Sequence, residues 1–98
     1  MALKIIWSPY AASNLEEICE YISRDSKYYA AMFAKKIIKI IKEIPNFPGG
    51  GRIVPEYSDE NLREKIYGNY RIIYRVQSDV IEIAAICHGN RLLENALL

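Results

Sequence analysis

Two arginines four residues apart lie in the apolar stretch YGNYRIIYRVQ, residues 67–77. Alternate residues of a strand point to the same face, so Arg71 and Arg75 are expected to share a face with Ile73. A guanidinium group offers a planar fork of donors to phosphate oxygens, and tyrosines beside it can stack on bases. A phosphate-binding surface explains this pattern, and cross-strand ion pairs with acids such as Glu82 explain it equally well.

The preceding stretch, LREKIY at residues 62–67, carries two more basic residues. If Ile66 points toward the core, alternation sends Arg63 and Lys65 to the opposite, open face of the sheet. The same assignment places Glu64 on the core side, where a carboxylate needs a cation or a position at the sheet edge. Because the net charge of the chain is only +1, attraction to a polyanion requires this kind of local clustering.

The last apolar stretch, VIEIAAICH at residues 80–88, ends in the only histidine of the chain. If Glu82 points outward, alternation turns Ala85 and Cys87 inward and His88 outward. Histidine titrates near neutral pH, so His88 could serve as a general acid or base. The expected open surface therefore consists of Arg63, Lys65, Arg71, Arg75 and His88.

A short strand and an amphipathic helix begin the chain. LKIIW, residues 3–7, has strand character, and Ser8 and Pro9 are suited to the N-cap and the first position of a helix. Apolar residues recurring at steps of four, three and four predict that this helix runs from Tyr10 to about Ser23.

A second, strongly amphipathic helix follows after a short break. Asp25 or Ser26 can cap it, and Pro45 ends it near Ile44. With so short a connection, the two helices should form an antiparallel hairpin. Its lysines are expected to form the solvated side, with attraction of a polyanion as a second interpretation. These lysines are Lys35, Lys36, Lys39 and Lys42.

Residues 45–61, PNFPGGGRIVPEYSDEN, predict a flexible loop. The triple glycine lacks the following Lys and Ser or Thr of a phosphate-binding P-loop. Three strands follow, joined by tight turns at Gly68-Asn69 and Ser78-Asp79, and residues 89–98 are expected to form a last turn of helix.

The predicted fold is a single α+β domain over residues 1–98. It has an N-terminal strand and an antiparallel helical hairpin packed on one face of an antiparallel β-sheet, which a C-terminal three-stranded meander completes. With 51% hydrophobic and 26% charged residues, a chain of 98 residues can bury one core.

The composition argues against several other classes of protein. No apolar run approaches the roughly 20 residues of a membrane span, and the N-terminal run is too short for a signal peptide. Cys19 and Cys87 are expected to be buried thiols, because neither has neighbouring ligands for a metal site. We therefore expect a cytoplasmic protein without a cofactor or a metal.

Several blocks of the sequence together resemble a known family. SPxAxxxLEEI in the first helix, AAMFAKKI in the second, LREKIYGxYRIIYRV in the first two meander strands and HGNR after the last strand are similar to the RelE/ParE toxins of type II toxin–antitoxin modules. The resemblance spans nearly the whole chain and is closer to the ParE branch. It implies growth arrest as the activity and a cognate antitoxin that forms a hetero-oligomer with the toxin.

Two activities occur among the proteins that the sequence resembles. ParE-like members poison DNA gyrase and are not enzymes, and this resemblance makes Arg71, Arg75 and Arg91 candidates for contacts with the target. RelE-like members cleave messenger RNA on the ribosome, and that alternative gives catalytic roles to Arg71, Lys65, Arg63 and His88. A non-toxic binding module that shares the fold is a third hypothesis, because a fold does not fix a function.

Overall fold

The computed structural model describes residues 3–90 of the chain. Its helices and strands are, in chain order, β1 (Lys4–Trp7), α1 (Pro9–Ser23), α2 (Lys27–Glu43), β2 (Arg52–Ile53), β3 (Leu62–Tyr67), β4 (Tyr70–Val76) and β5 (Val80–His88). The strands form one sheet in the order β1-β5-β4-β3-β2, with β1 parallel to β5 and the other neighbours antiparallel. The predicted α+β architecture is confirmed, but the sheet is mixed and not wholly antiparallel, because β1 pairs in parallel with β5.

Both helices begin at the serines that the sequence offers as caps. The Ser8 hydroxyl accepts a hydrogen bond from the Ala11 N–H at 3.0 Å, and the Ser26 hydroxyl accepts one from the Tyr29 N–H at 3.1 Å. The three residues between α1 and α2 turn the chain back, so that the Cys19 thiol lies 4.0 Å from the Ala30 carbonyl oxygen. The helices thus form the predicted hairpin.

The hairpin covers one face of the sheet, which we call the helix face. Ile37 and Ile41 of α2 pack there against Ile72 and Tyr74 of β4. Burial of these side chains supplies the main apolar contribution to folding. The core on this face comprises Ala11, Phe33, Ile37, Ile41, Ile44, Ile72, Tyr74, Ile81, Ile83 and Ile86.

The opposite face of the sheet, which we call the second face, is also covered in part. Residues 54–61, the covering segment, lie over it, with Val54 fully buried and Tyr57 packed against the same cluster. The predicted flexible loop over residues 45–61 is correct only in part, because this region also holds two 3₁₀ turns, Ile44–Asn46 and Pro48–Gly50, and the short strand β2. A second core of Val54, Leu62, Ile73, Ala84, Ala85 and Cys87 stabilises the arrangement.

The register of the β3–β4 hairpin reverses the faces predicted for β3. The two-residue turn pairs Tyr67 with Tyr70, so Lys65 lies opposite Ile72. Residues directly opposite each other share a face, and Ile72 belongs to the helix-face core. Arg63 and Lys65 therefore lie on the helix face, and Ile66, expected to be buried, points to the second face and is 52% exposed.

A β-bulge in β5 changes the alternation of faces along that strand. Tyr74 pairs with Ile83 and Ile73 pairs with Ala85, so Ala84 is an extra residue. The Ser8 hydroxyl donates to the Ala84 carbonyl at 3.0 Å. Beyond the bulge, Cys87 turns to the second face, contrary to the predicted assignment of Ala85 and Cys87 to the helix-facing core. His88 correspondingly lies opposite Tyr70 on the helix face.

Candidate functional site

Arg71 lies on the second face of β4, but it is not an exposed residue. Only 5% of its surface is accessible. Its Nη1 and Nη2 donate to the two carboxylate oxygens of Glu56 at 2.9 and 2.8 Å, and its Nε donates to Glu64 Oε1 at 2.7 Å. The expectation of an open guanidinium on this face is wrong, because the covering segment brings a carboxylate over it.

Glu64 joins this ion pair to a second arginine. It is 1% exposed and lies between Arg71 and Arg52, whose Nε donates to Glu64 Oε2. Glu64 does find the cations that a buried carboxylate requires, although on the second face and not on the helix face. We call these four residues, Glu56, Arg71, Glu64 and Arg52, the charge network; their charges alternate and sum to zero.

Glu56 and Arg71 hold each other in their ionised forms. The hydrogen bond from Arg71 lowers the pKa of Glu56, although partial burial opposes the shift. The hydrogen bond from Glu56 likewise raises the pKa of Arg71, again against desolvation, with a further contribution from Glu64. Glu56 and Arg71 therefore remain a charged pair at neutral pH.

The glycine-rich turn before β2 places Arg52 beside Glu64. The buried Tyr74 hydroxyl donates to the Pro48 carbonyl at 2.7 Å and accepts from the Gly51 N–H at 3.0 Å. A side chain on residue 51 would not fit, because a Cβ there would lie 2.5 Å from Tyr74 Oη and 2.7 Å from the Glu64 carbonyl oxygen. Burial raises the pKa of Tyr74, which keeps its hydroxyl protonated as the donor to Pro48.

Arg63 also stabilises this turn from the helix face. Its Nη1 donates to the carbonyls of Gly51 at 3.0 Å and Gly49 at 3.3 Å, and its Nε donates to the Glu60 carbonyl at 2.9 Å. These contacts use both ends of the guanidinium for backbone carbonyls. Arg63 therefore shapes the turn beside the charge network.

The other predicted site residues are dispersed. Lys65 lines a surface depression of about 420 Å³ together with Ile40 and Phe47. Arg75 of β4 donates to Glu82 of β5 at 3.2 Å, which is the cross-strand ion pair expected as one of the two explanations for this arginine. Arg91 lies outside the described residues.

His88 and Arg71 belong to consecutive residue pairs of the paired strands β4 and β5, but their side chains lie on opposite faces of the sheet. Its ring packs edge-on against Tyr70 with ring centres 5.6 Å apart. Both His88 and Arg71 line a shallow polar depression of about 240 Å³ at the end of β4 and β5. The structure thus brings these two residues to one depression but does not form the predicted basic surface from the five residues.

Sequence reasoning missed Glu56 and Arg52, the partners that occupy Arg71 and Glu64. The available signal was Glu64 itself, a carboxylate within a strand that required a cation. The Arg71 donors are engaged by carboxylates, so this site is suited to binding through its shape and its exposed groups.

Within residues 3–90, no cluster of three or more His, Cys, Asp or Glu side chains is placed to hold a metal ion. No helix in the same range is long and apolar enough to cross a membrane.

Solved toxin structures share this fold. The chain is similar to the chromosomal ParDE toxin–antitoxin system from P. aeruginosa, with 19% identity, a TM-score of 0.72, and coverage of 89% of this chain and 96% of that chain. It is also similar to the toxin–antitoxin complex RelBE2 from Mycobacterium tuberculosis, with 13% identity, a TM-score of 0.57, and coverage of 90% and 99%. The YoeB dimer from Staphylococcus aureus gives 23% identity, a TM-score of 0.57, and coverage of 93% and 100%.

These similarities define the class as the α+β fold of type II toxin–antitoxin toxins. The model of the family described as the ParE toxin of the type II toxin–antitoxin system, parDE, matches residues 5–93. The chain therefore belongs to the ParE toxin family. No curated protein is similar enough in sequence to count as a match.

Proposed function

We propose that this toxin arrests growth by binding and inhibiting DNA gyrase and that it does not cleave RNA. The main support for this proposal is that Arg71, the arginine that the sequence marked as the candidate to contact a phosphate, is bound by carboxylates of the protein itself. Its three nitrogen atoms donate to Glu56 and Glu64 within the fold. A ParE-like, non-enzymatic toxin does not require this guanidinium to be open.

Cleavage of RNA needs several groups that act on one phosphate. A cation must stabilise charge that develops on the phosphate, and an acid or base must move a proton within hydrogen-bonding distance. Here Arg63 is bound to backbone carbonyls, and Lys65 and Arg71 lie on opposite faces of the sheet. The dispersal of these groups supports binding as the mode of action.

We further propose that a cognate antitoxin covers the open edge of β3. The short strand β2 pairs with Arg63 and Glu64, and the Val54 N–H that follows it donates to the Leu62 carbonyl at 3.1 Å. Within the described part of the chain, residues 65–67 of β3 are therefore left without a strand neighbour on that side. Two exposed apolar side chains, Phe47 at 70% and Ile66 at 52%, lie beside this edge. An extended segment that adds a strand here would satisfy the backbone groups and bury both side chains.

Ribosome-dependent cleavage of messenger RNA is the second candidate. It is favoured by one observation, that Arg71 and His88 line the same polar depression. For that activity, Glu56 would have to leave Arg71 when RNA binds. Substitution of Arg71 by Ala would then slow cleavage by roughly tenfold or more through lost stabilisation of charge.

Expression without an antitoxin tests the proposal in cells. We expect growth arrest, relaxed plasmid DNA and intact transcripts soon after induction. Arrest with cleaved transcripts and normally supercoiled plasmid would overturn the gyrase proposal in favour of the nuclease. Normal growth at high soluble expression would count against a toxic activity altogether.

A further inference from the structure

The outward sides of the two helices carry opposite charges. Ser13, Glu16, Glu17 and Glu20 of α1 are exposed and line one shallow depression, which we call the acidic patch. Lys35, Lys39 and Lys42 of α2, with Ile38 and Glu43, line another of about 370 Å³, which we call the basic patch because its three lysines outnumber its one glutamate. The three lysines extend along about 10 Å of helix, given a rise of about 1.5 Å per residue.

Neither patch takes part in the ion pairs within the described part of the chain. Those pairs, Arg52–Glu64, Arg71–Glu56, Arg71–Glu64 and Arg75–Glu82, all lie on the sheet and the covering segment. The patches are also offset along the hairpin. Contact between Cys19 and Ala30 sets the helices side by side, so the acidic patch lies nearer the connection and the basic patch lies farther from it.

We propose that the two patches together form a self-complementary surface through which two copies of this chain associate. Rotation of one copy about a two-fold axis that lies parallel to the outer surface of the hairpin, midway between the two patches, turns the two outer surfaces toward each other. It brings the acidic patch of one copy onto the basic patch of the other. The same rotation makes the reciprocal contact, so each patch is used once in each copy. Ile38, which is 39% exposed, then lies within the contact and loses apolar surface to water.

The charge pattern favours a second copy over a nucleic acid. A phosphate backbone would gain from Lys35, Lys39 and Lys42 but would be repelled by the three glutamates on the adjoining helix. The net charge of +1 provides no general attraction to compensate. Only a partner that carries both signs in the same offset arrangement matches the whole surface.

Such an interface should be sensitive to salt. Exposed ion pairs contribute little individually, and ions screen them within about 30 Å at 0.01 M salt and about 3 Å at 1 M. Two copies that associate through these patches therefore form a dimer at low salt and separate at high salt. Electrostatic complementarity here specifies the partner and the orientation more than it adds affinity.

Charge reversal tests the proposal directly. The variant Glu16→Lys/Glu20→Lys makes both patches basic, and Lys35→Glu/Lys39→Glu makes both acidic. We expect each variant to be monomeric in analytical ultracentrifugation at about 0.01 M salt, where the wild type is a dimer. An equimolar mixture of the two variants should restore a heterodimer, because each patch again meets its opposite.

A control and three contrary outcomes complete the test. The variant Lys4→Glu/Glu60→Lys reverses two exposed charges on other parts of the surface and should dimerise like the wild type. Circular dichroism is used to check that all variants are folded. A monomeric wild type at low salt, a mixture of variants that stays monomeric, or a wild-type monomer that binds an oligonucleotide through the lysines would overturn the proposal. Gyrase inhibition is measured separately and does not depend on the outcome.

Discussion

The Glu56 carboxylate binds the Arg71 guanidinium with both of its oxygens, at 2.8 and 2.9 Å. This contact joins the covering segment to the middle strand of the sheet, and Glu64 continues it to Arg52. A paired arrangement of two planar groups is among the stronger ion pairs in proteins. We infer that the Arg71 position of this toxin chiefly stabilises the fold on the second face.

Removal of the Arg71 side chain should destabilise the protein strongly. Arg71→Ala leaves the fully buried Glu64 side chain with Arg52 as its remaining cation, so we expect a loss of about 3 kcal/mol in the free energy of unfolding. Arg75→Ala is the matched control. It removes a pair whose side chains are 35% and 31% exposed and should cost less than about 1 kcal/mol. Equal losses in urea denaturation would contradict the assigned role of Arg71.

The stability of the charge network should depend on acid pH through Glu56. Its pKa is lowered in the folded state, chiefly by the hydrogen bond from Arg71. The ionised group therefore stabilises the fold above its ordinary pKa of about 4.3, and this stabilisation is lost as pH falls through the lower folded value. Glu56→Gln should flatten the acid side of the stability profile. The control Glu60→Gln, at an exposed carboxylate of the same segment, should leave the profile as in the wild type.

The close approach at Gly51 should not tolerate a methyl group. Gly51→Ala brings a Cβ against the Tyr74 hydroxyl and the Glu64 backbone, and we expect destabilisation of roughly 1–3 kcal/mol. Gly49→Ala provides a control two residues away, since a Cβ there meets nothing within 4 Å. Thermal unfolding of the two variants compares them directly. A Gly51 variant as stable as the Gly49 variant would show that the turn is not held as described.

Asn14 should support the backbone just beyond the β5 bulge. The Asn14 side chain is buried, and its Oδ1 accepts a hydrogen bond from the Ile86 N–H at 3.0 Å. Asn14→Leu leaves this buried donor without its acceptor, and we expect a loss of about 1–3 kcal/mol. Amide hydrogen exchange at Ile86 should accelerate in the variant. The exposed neighbour Ser13→Ala should change neither quantity, and similar effects from both substitutions would contradict this role.

Local sequence signals predicted the elements well because caps and apolar spacing act over a few residues. Ser8 and Ser26 cap their helices as expected, and the Gly68-Asn69 turn joins β3 to β4. That same turn contained enough information to assign the faces of β3, because a two-residue turn pairs Tyr67 with Tyr70. The prediction that Ile66 is buried did not take this pairing into account and was wrong.

Features that depend on distant contacts were not predictable in the same way. The extra residue Ala84 has no local mark, since its backbone is satisfied by Ser8, far away in the sequence. The partner of Arg71 likewise comes from Glu56, in a segment whose composition favoured a flexible loop. The need of Glu64 for a cation was visible, but which arginines would supply it depended on the tertiary fold.

The most direct test of the proposed function uses one preparation of the purified toxin in two assays. It is titrated into gyrase with relaxed plasmid and into a reconstituted translation reaction with a defined messenger RNA. We expect that supercoiling is inhibited and that the messenger RNA stays intact over the same range of toxin concentration. Ribosome-dependent cleavage of the messenger RNA with unaffected supercoiling would contradict it.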